Sequence, residues 1–63
     1  MRHKEEEIYK NLSQKEKENF DLGMERAEEE GLYDEVLNSA ISMHEAGVLP
    51  LRALIDALND WDC

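Results

Sequence analysis

Apolar residues recur at helical spacing along most of the chain, and no segment alternates apolar and polar residues as a β-strand does. Phe20, Met24 and Ala27 stand at i, i+4 and i+7, so they share one face of a predicted helix over residues 13–30. Ser13 is followed three residues later by a glutamate, which is the spacing of a capping box at the start of this helix.

Glycines mark the ends of two successive predicted helices. Gly31 suits the left-handed position that closes the first helix, with Leu32 folding back onto its last turn. Gly47 suits the same position at the end of a second helix, predicted over residues 34–46. One face of this second helix carries the apolar residues Val36, Leu37, Ala40 and Ile41.

A third helix is predicted over residues 50–62, because Pro50 suits a first helical position and the strongest apolar stripe follows it. That stripe consists of Leu51, Leu54, Ile55, Leu58 and Trp61. Residues 1–12 form an N-terminal segment, predicted to be a short helix or partly disordered, with His3 in a mobile terminus. The expected fold is all-α: a helical domain over residues 13–63, built as a small three-helix bundle, or four with the N-terminal helix, with short glycine-containing turns.

Length and cysteine content limit the class of protein. The 63 residues form one domain at most. Cys63 is the only cysteine, so no disulfide can form within the chain, and a reducing compartment, most simply the cytoplasm, is expected. The sequence shows neither a signal-peptide core nor an apolar run long enough to span a bilayer, so no membrane partner is expected.

The chain has a net charge of −9, and most of its negative charge lies in its second part. Residues 18–63 hold twelve acidic and two basic residues, whereas residues 1–17 hold four acidic and five basic ones. At about 100° per residue, five carboxylates of the first predicted helix fall in one sector beside its apolar face, and three more continue into the second helix. These eight residues are defined as the acidic face: Glu18, Asp21, Glu25, Glu28, Glu29, Glu30, Asp34 and Glu35.

Such a face repels nucleic acid and anionic lipid and attracts basic protein surfaces. Over residues 18–29 its carboxylates are spaced about 3–4 Å along the helix axis, which is close to the spacing of phosphates along one DNA strand. In charge and size alone, the chain is similar to acidic inhibitors that mimic nucleic acid. The predicted function is a small non-enzymatic inhibitor or regulator of bacterial or viral type. Its acidic face would block a nucleic-acid-handling protein, such as a defence nuclease, a restriction enzyme or a transcription protein.

Three alternatives remain open at this point. The acids can serve solubility alone. The second and third helices have the form of a helix–turn–helix, which would make the chain a DNA-binding regulator, although Arg52 is the only cation of the third helix. A homodimeric structural or regulatory module using Trp61 and the third helix is the other alternative, since so small a core leaves a thin stability margin.

Catalytic and metal-binding motifs are not recognisable in the sequence, so neither an enzyme nor a cofactor is expected. His44 lies in the last turn of a predicted helix, where an imidazole suits the negative helix end in a structural role. No histidine pair or Glu-x-x-His set has metal-ligand spacing. Ser39 and Ser42 lie near His44, yet a chain of this length encloses little space for a catalytic pocket beside its core.

Overall fold

Helices form the regular secondary structure of the computed structural model, which describes residues 2–63; Met1 lies outside the described residues. In chain order they are a 3₁₀ helix over Arg2–Glu5, α1 over Glu7–Lys10, α2 over Gln14–Glu29, α3 over Tyr33–Glu45 and α4 over Pro50–Asp60. No strand occurs in this described part, and the predicted all-α bundle of three longer helices with a short N-terminal one is confirmed.

A capping box and a glycine turn set the ends of α2, as the sequence predicts. Ser13 Oγ accepts a hydrogen bond from the Glu16 N–H at 3.3 Å, and the Glu16 carboxylate accepts one from the Ser13 N–H at 2.9 Å. At the other end, Gly31 has a φ of +73°. Leu32 N–H then donates to the Ala27 carbonyl at 2.9 Å, which is the Schellman arrangement.

The end of α4 repeats this arrangement without a glycine. Asp62 takes a φ of +58°, and the N–H of Cys63 donates to the Leu58 carbonyl at 2.8 Å. This turn stops the helix at Asp60, two residues before the predicted end over 50–62. Aspartate tolerates the left-handed conformation better than most residues because its short polar side chain can bond the local backbone.

Side chains from all four helices meet in one core. The buried apolar residues of α2 and α3 are Phe20, Met24, Ala27, Val36, Leu37 and Ala40, all of them predicted for these faces. Ile41 lies half-buried at the edge of this core. Burying one large apolar side chain stabilises a fold by about 1.5–3 kcal/mol, so this cluster supplies most of the driving force.

The buried side of α4 differs from the predicted stripe. Its buried residues are Ala53, Leu54 and Ala57, with Leu51 and Leu58 half-buried. Ile55 is 53% exposed and Trp61 is 41% exposed, so two of the five residues of the predicted stripe lie largely outside the core.

A close contact between α2 and α4 at Gly23 explains part of this difference. A Cβ atom at Gly23 would lie 2.6 Å from Leu54 Cδ2 and 3.4 Å from Leu58 Cδ1. Because Gly23 has no side chain, Leu54 occupies that space, and the small side chains of Ala53 and Ala57 allow neighbouring helices to approach closely. The core-facing side of α4 is therefore centred on Ala53, Leu54 and Ala57, and Ile55 lies outside it.

The N-terminal segment packs against α2 and α3. Ile8 and Tyr9 of α1 are buried, and Leu12 lies half-buried against the same core. His3 is only 2% exposed, and its ring stacks on Phe20 with the ring centroids 5.8 Å apart. The prediction of a mobile His3 is wrong, because its burial comes from residues distant in sequence.

Candidate functional site

The acidic face spans α2 and the beginning of α3. Glu18, Asp21, Glu25, Glu28 and Glu29 lie on α2, Glu30 follows that helix, and Asp34 and Glu35 lie in the first turn of α3. Seven of the eight residues are exposed, and Asp21 is half-buried. Among residues 2–63, the ion pairs of this face involve Asp21 and Asp34.

Glu28, Glu29 and Glu30 lie at the C-terminal end of α2, where a negative charge is unfavourable. The free carbonyl groups give this end of a helix a partial negative charge, which acids oppose by about 0.3–1 kcal/mol each when exposed. Acids in the first turn of α3, Asp34 and Glu35, stand instead at a favourable positive end. The three acids at the end of α2 thus lower the stability of this helix, and their side chains are exposed.

Asp21 is the one member of the acidic face held by buried groups. His3 Nε2 lies 2.7 Å from Asp21 Oδ1, and the Tyr9 hydroxyl donates to Asp21 Oδ2 at 3.3 Å. Its side chain keeps about a third of its exposure, 36%. Asp21 is therefore less available to another molecule than the other four α2 acids of the face, which are exposed.

Removing Asp21 from the free acids also changes the spacing along α2. The remaining exposed acids there are Glu18, Glu25, Glu28 and Glu29. Between Glu18 and Glu25 the axial gap is about 10 Å, three times the phosphate spacing of one DNA strand. The face consists of a dense acidic cluster at one end of α2 rather than an evenly charged ridge.

His3 links Asp21 to Tyr33 through a hydrogen-bond chain. The His3 backbone N–H donates to Tyr33 Oη at 2.8 Å, and His3 Nδ1 lies 2.8 Å from the same oxygen. A neutral imidazole with its proton on Nε2 satisfies every partner: Tyr33 O–H donates to Nδ1, and Nε2–H donates to Asp21. A second ring proton on Nδ1 would require the Tyr33 hydroxyl to find another acceptor.

Tyr9 completes the polar cluster beneath the acidic face. Burial raises the pKa of the Tyr9 phenol above its ordinary 10.0, and the charge of Asp21 and the hydrogen bond to it add to this effect. The rings of Tyr9 and His3 meet edge to face, with the ring centroids 5.3 Å apart. Tyr9 is thus held as a neutral hydrogen-bond donor at neutral pH.

Arg2 extends the contact of the N-terminal segment to α3. Its guanidinium donates to Asp34 Oδ1 at 3.2 Å and to Asn38 Oδ1 at 2.8 Å, and it lies 4.0 Å from the Glu6 carboxylate. These contacts are exposed, so each contributes at most about 1 kcal/mol. They nevertheless place a cation of the chain directly on Asp34 of the acidic face.

A shallow depression separates the 3₁₀ helix from α2. It has a volume of about 220 Å³ and is lined by His3, Lys4, Asp21, Glu25 and Glu28. Three acidic side chains therefore share one concave surface with a single lysine. Within residues 2–63, no group of three or more histidine, cysteine, aspartate or glutamate side chains is placed to hold a metal ion.

Residues that the sequence analysis considered for DNA binding, for dimerisation and for a helix-end role make contacts within the fold. Arg52, the cation of α4, donates to Asp56 at 3.2 Å on the same helix. The Trp61 indole N–H donates to Ser39 Oγ at 3.1 Å, which uses the polar end of this side chain within the fold. His44 Nδ1 donates to the Val48 carbonyl at 2.7 Å and so closes the turn after α3.

Sequence reasoning missed the N-terminal contribution to this site. His3, Tyr9 and Tyr33 lie 12 to 30 residues from their partners along the chain, so no local spacing links them. The signal present in the sequence is the basic stretch Arg2–Lys4, next to an otherwise acidic molecule. Such a segment can pair with the chain's own acids as well as with a partner.

Comparison of the chain with protein-family models, with curated proteins and with solved structures finds no match. None of the helices within residues 2–63 has the length and apolar character required to cross a membrane. The fold and the candidate site therefore define this molecule only as a small all-α protein with a clustered acidic surface.

Proposed function

We propose that this chain is a small non-enzymatic inhibitor or regulator that binds a basic protein surface through its acidic face. The contacting residues are those that the structure leaves exposed: Glu18, Glu25, Glu28, Glu29, Glu30, Asp34 and Glu35, with Asp21 as a partly covered member. Binding displaces or outcompetes anionic ligands of the partner, because both use the same positive groups.

The observation that supports this proposal most is the acidic cluster at the C-terminal end of α2. Solubility alone does not require Glu28, Glu29 and Glu30 to lie where they oppose the helix dipole. Their side chains are exposed, so they are available to lysine or arginine side chains of another molecule. A cluster that lowers stability yet remains exposed is typical of a surface kept for binding.

Nucleic-acid-handling proteins of the cytoplasm are the proposed class of partner. Their binding grooves are lined with lysine and arginine side chains that already bind phosphates. Because a wide gap separates Glu18 from Glu25, the acids of α2 do not reproduce the regular phosphate spacing of a nucleic acid. The proposed resemblance to nucleic acid is limited to the dense negative charge at one end of α2.

Direct DNA binding by α3 and α4 receives less support from the geometry. The only cation of α4, Arg52, already bonds Asp56, and the same helix carries Asp60. A phosphate backbone approaching this helix would meet net negative charge. Retention of the purified protein on duplex DNA at physiological salt would reverse this ranking.

Capture from a host lysate with two charge-matched variants tests the proposal. The face variant changes Glu18, Glu25, Glu28 and Glu29 to glutamine and leaves Asp21 intact, because Asp21 also holds His3 and Tyr9. The control variant removes four exposed acids elsewhere: Glu7→Gln, Glu45→Gln, Asp60→Asn and Asp62→Asn. Both variants lose the same charge.

The expected result is a partner captured by the wild-type protein and the control variant at low salt, lost at high salt, and lost with the face variant. The captured protein should be released by duplex DNA or RNA if it belongs to the proposed class. A partner that is retained equally by the face variant would show that the acidic face is not the binding surface.

A further inference from the structure

The 3₁₀ helix Arg2–Glu5 lies across the acidic face and supplies it with the chain's own cations. Arg2 bonds Asp34, and His3 contacts Asp21 from a position that is 2% exposed. Lys4 lines the same depression as Glu25 and Glu28. The 3₁₀ helix therefore contacts acids of α2 and α3 through His3 and Arg2, and it places Lys4 beside the same acids.

We infer that this 3₁₀ helix is an autoinhibitory strap: it occupies part of the acidic face, and a basic partner gains that part only when the strap undocks. This inference rests on the proposed function and adds its regulation. The strap and a basic partner both offer N–H donors to the same carboxylates, since Arg2 donates to Asp34 and the His3 ring contacts Asp21. Their binding is therefore mutually exclusive at Asp21 and Asp34.

Tyr33 is the anchor of the strap. Its hydroxyl holds both the backbone N–H and the ring Nδ1 of His3 at 2.8 Å, so one oxygen fixes both the main chain and the side chain of this residue. His3 Nε2 also lies 2.7 Å from Asp21 Oδ1. The contacts of Arg2 with Asp34 and Asn38 are exposed and weak.

Undocking also changes the shape of the face. The depression of about 220 Å³ has the strap as one wall, formed by His3 and Lys4. Without that wall, Asp21, Glu25 and Glu28 form an open acidic surface along α2. The docked form thus offers a narrow site for one cationic side chain, and the undocked form a wider one for a basic surface.

Hydrogen exchange in the presence of a defined cationic probe tests the inference on the wild-type protein. A fluorescein-labelled oligolysine peptide at low salt reports affinity, and NMR follows the exchange of the His3 and Glu6 amides, which bond Tyr33 Oη and the His3 carbonyl. Saturation with the peptide should speed the exchange of both amides several-fold. Unchanged protection in the bound state would overturn the inference, because the strap would then remain docked beside the ligand.

Two variants that each remove one hydroxyl group form a matched pair with no change of charge. Tyr33→Phe removes the anchor, and it should bind the peptide several-fold more tightly than wild type while its His3 amide exchanges faster. Ser39→Ala removes a hydroxyl that bonds Trp61 away from the acidic face, so its peptide affinity and its His3 amide exchange should stay near the wild-type values. Faster exchange in Tyr33→Phe with unchanged affinity would overturn the inference.

The face variant with four glutamines separates this inference from the proposed function. If that variant binds the peptide as tightly as wild type, the acidic face does not bind cations, and the proposed function fails together with its regulation. If its affinity falls while peptide binding leaves the strap protected in wild type, the function stands and only the autoinhibition is wrong.

Discussion

At the residue scale, single side chains decide both the packing and the availability of the acidic face. His3 is buried, and its two ring nitrogens contact Asp21 and Tyr33. Gly23 lets α2 and α4 approach until a methyl group no longer fits. Each of these positions is explained by contacts across the fold, not by neighbours along the chain.

Gly23→Ala is expected to destabilise the protein by about 1 kcal/mol, although alanine is the better helix former by a similar amount. The added Cβ would lie 2.6 Å from Leu54 Cδ2 and 3.2 Å from Leu54 Cγ, and Leu54 is 2% exposed and has little room to move. Urea unfolding measures the effect. In a Leu54→Ala background the same substitution should become neutral or stabilising; a loss of equal size there would refute the steric explanation.

Tyr9 predicts a loss of stability at alkaline pH. Because its folded-state pKa is raised above 10.0, the unfolded chain releases this proton first as the pH rises. The stabilisation is therefore complete below pH 10.0 and declines as the pH rises through the folded-state pKa. The free energy of unfolding of wild type should fall more steeply above this pH than that of Tyr9→Phe; parallel curves would contradict the assignment.

At the element scale, the helix ends followed from local chemistry and the helix faces only partly did. The pair Ser13 and Glu16 and the glycine turn at Gly31 were predictable, because these motifs depend on residues at most five positions apart. The core side of α4 was predicted in part, because Leu51, Leu54 and Leu58 lie in or against the core. The prediction also included Ile55 and Trp61, which are exposed, because large side chains outweigh alanines in an apolar pattern.

The residues of the candidate site were predictable, but which of their side chains the rest of the chain covers was not. The position of the acids on α2 follows from helical geometry, whereas the covering of Asp21 by His3 requires a contact over 18 residues of sequence. The same holds for Asp34, which Arg2 reaches over 32 residues. A basic stretch at one end of an acidic chain indicates attraction, but its docking site depends on the tertiary fold.

Replacing the acids at the end of α2 is expected to increase stability and to weaken binding of a partner. Glu28→Gln together with Glu29→Gln should raise the free energy of unfolding by up to about 1 kcal/mol, because each change removes a negative charge from the negative helix end. The same protein should bind its partner more weakly. Glu5→Gln with Glu7→Gln is the charge-matched control, because both residues are exposed and neither lies at the C-terminal end of an α-helix. An equal gain from that pair would assign the effect to net charge alone.

At the scale of the whole molecule, the chain combines a net charge of −9 with a cationic N-terminal 3₁₀ helix that lies on its own acidic face. The overall field attracts basic molecules from a distance, and the local contacts decide which carboxylates are free to meet them. Long-range attraction and local covering together imply binding that is sensitive to salt.

The most direct test of the central claim is the salt dependence of affinity for the captured partner, measured by titration with wild type, the face variant and the control variant. Wild type and control should lose affinity steeply as salt rises, whereas the face variant should bind weakly with a shallow dependence. If all three proteins follow the same curve, the acidic face does not bind the partner, and the proposed function is wrong.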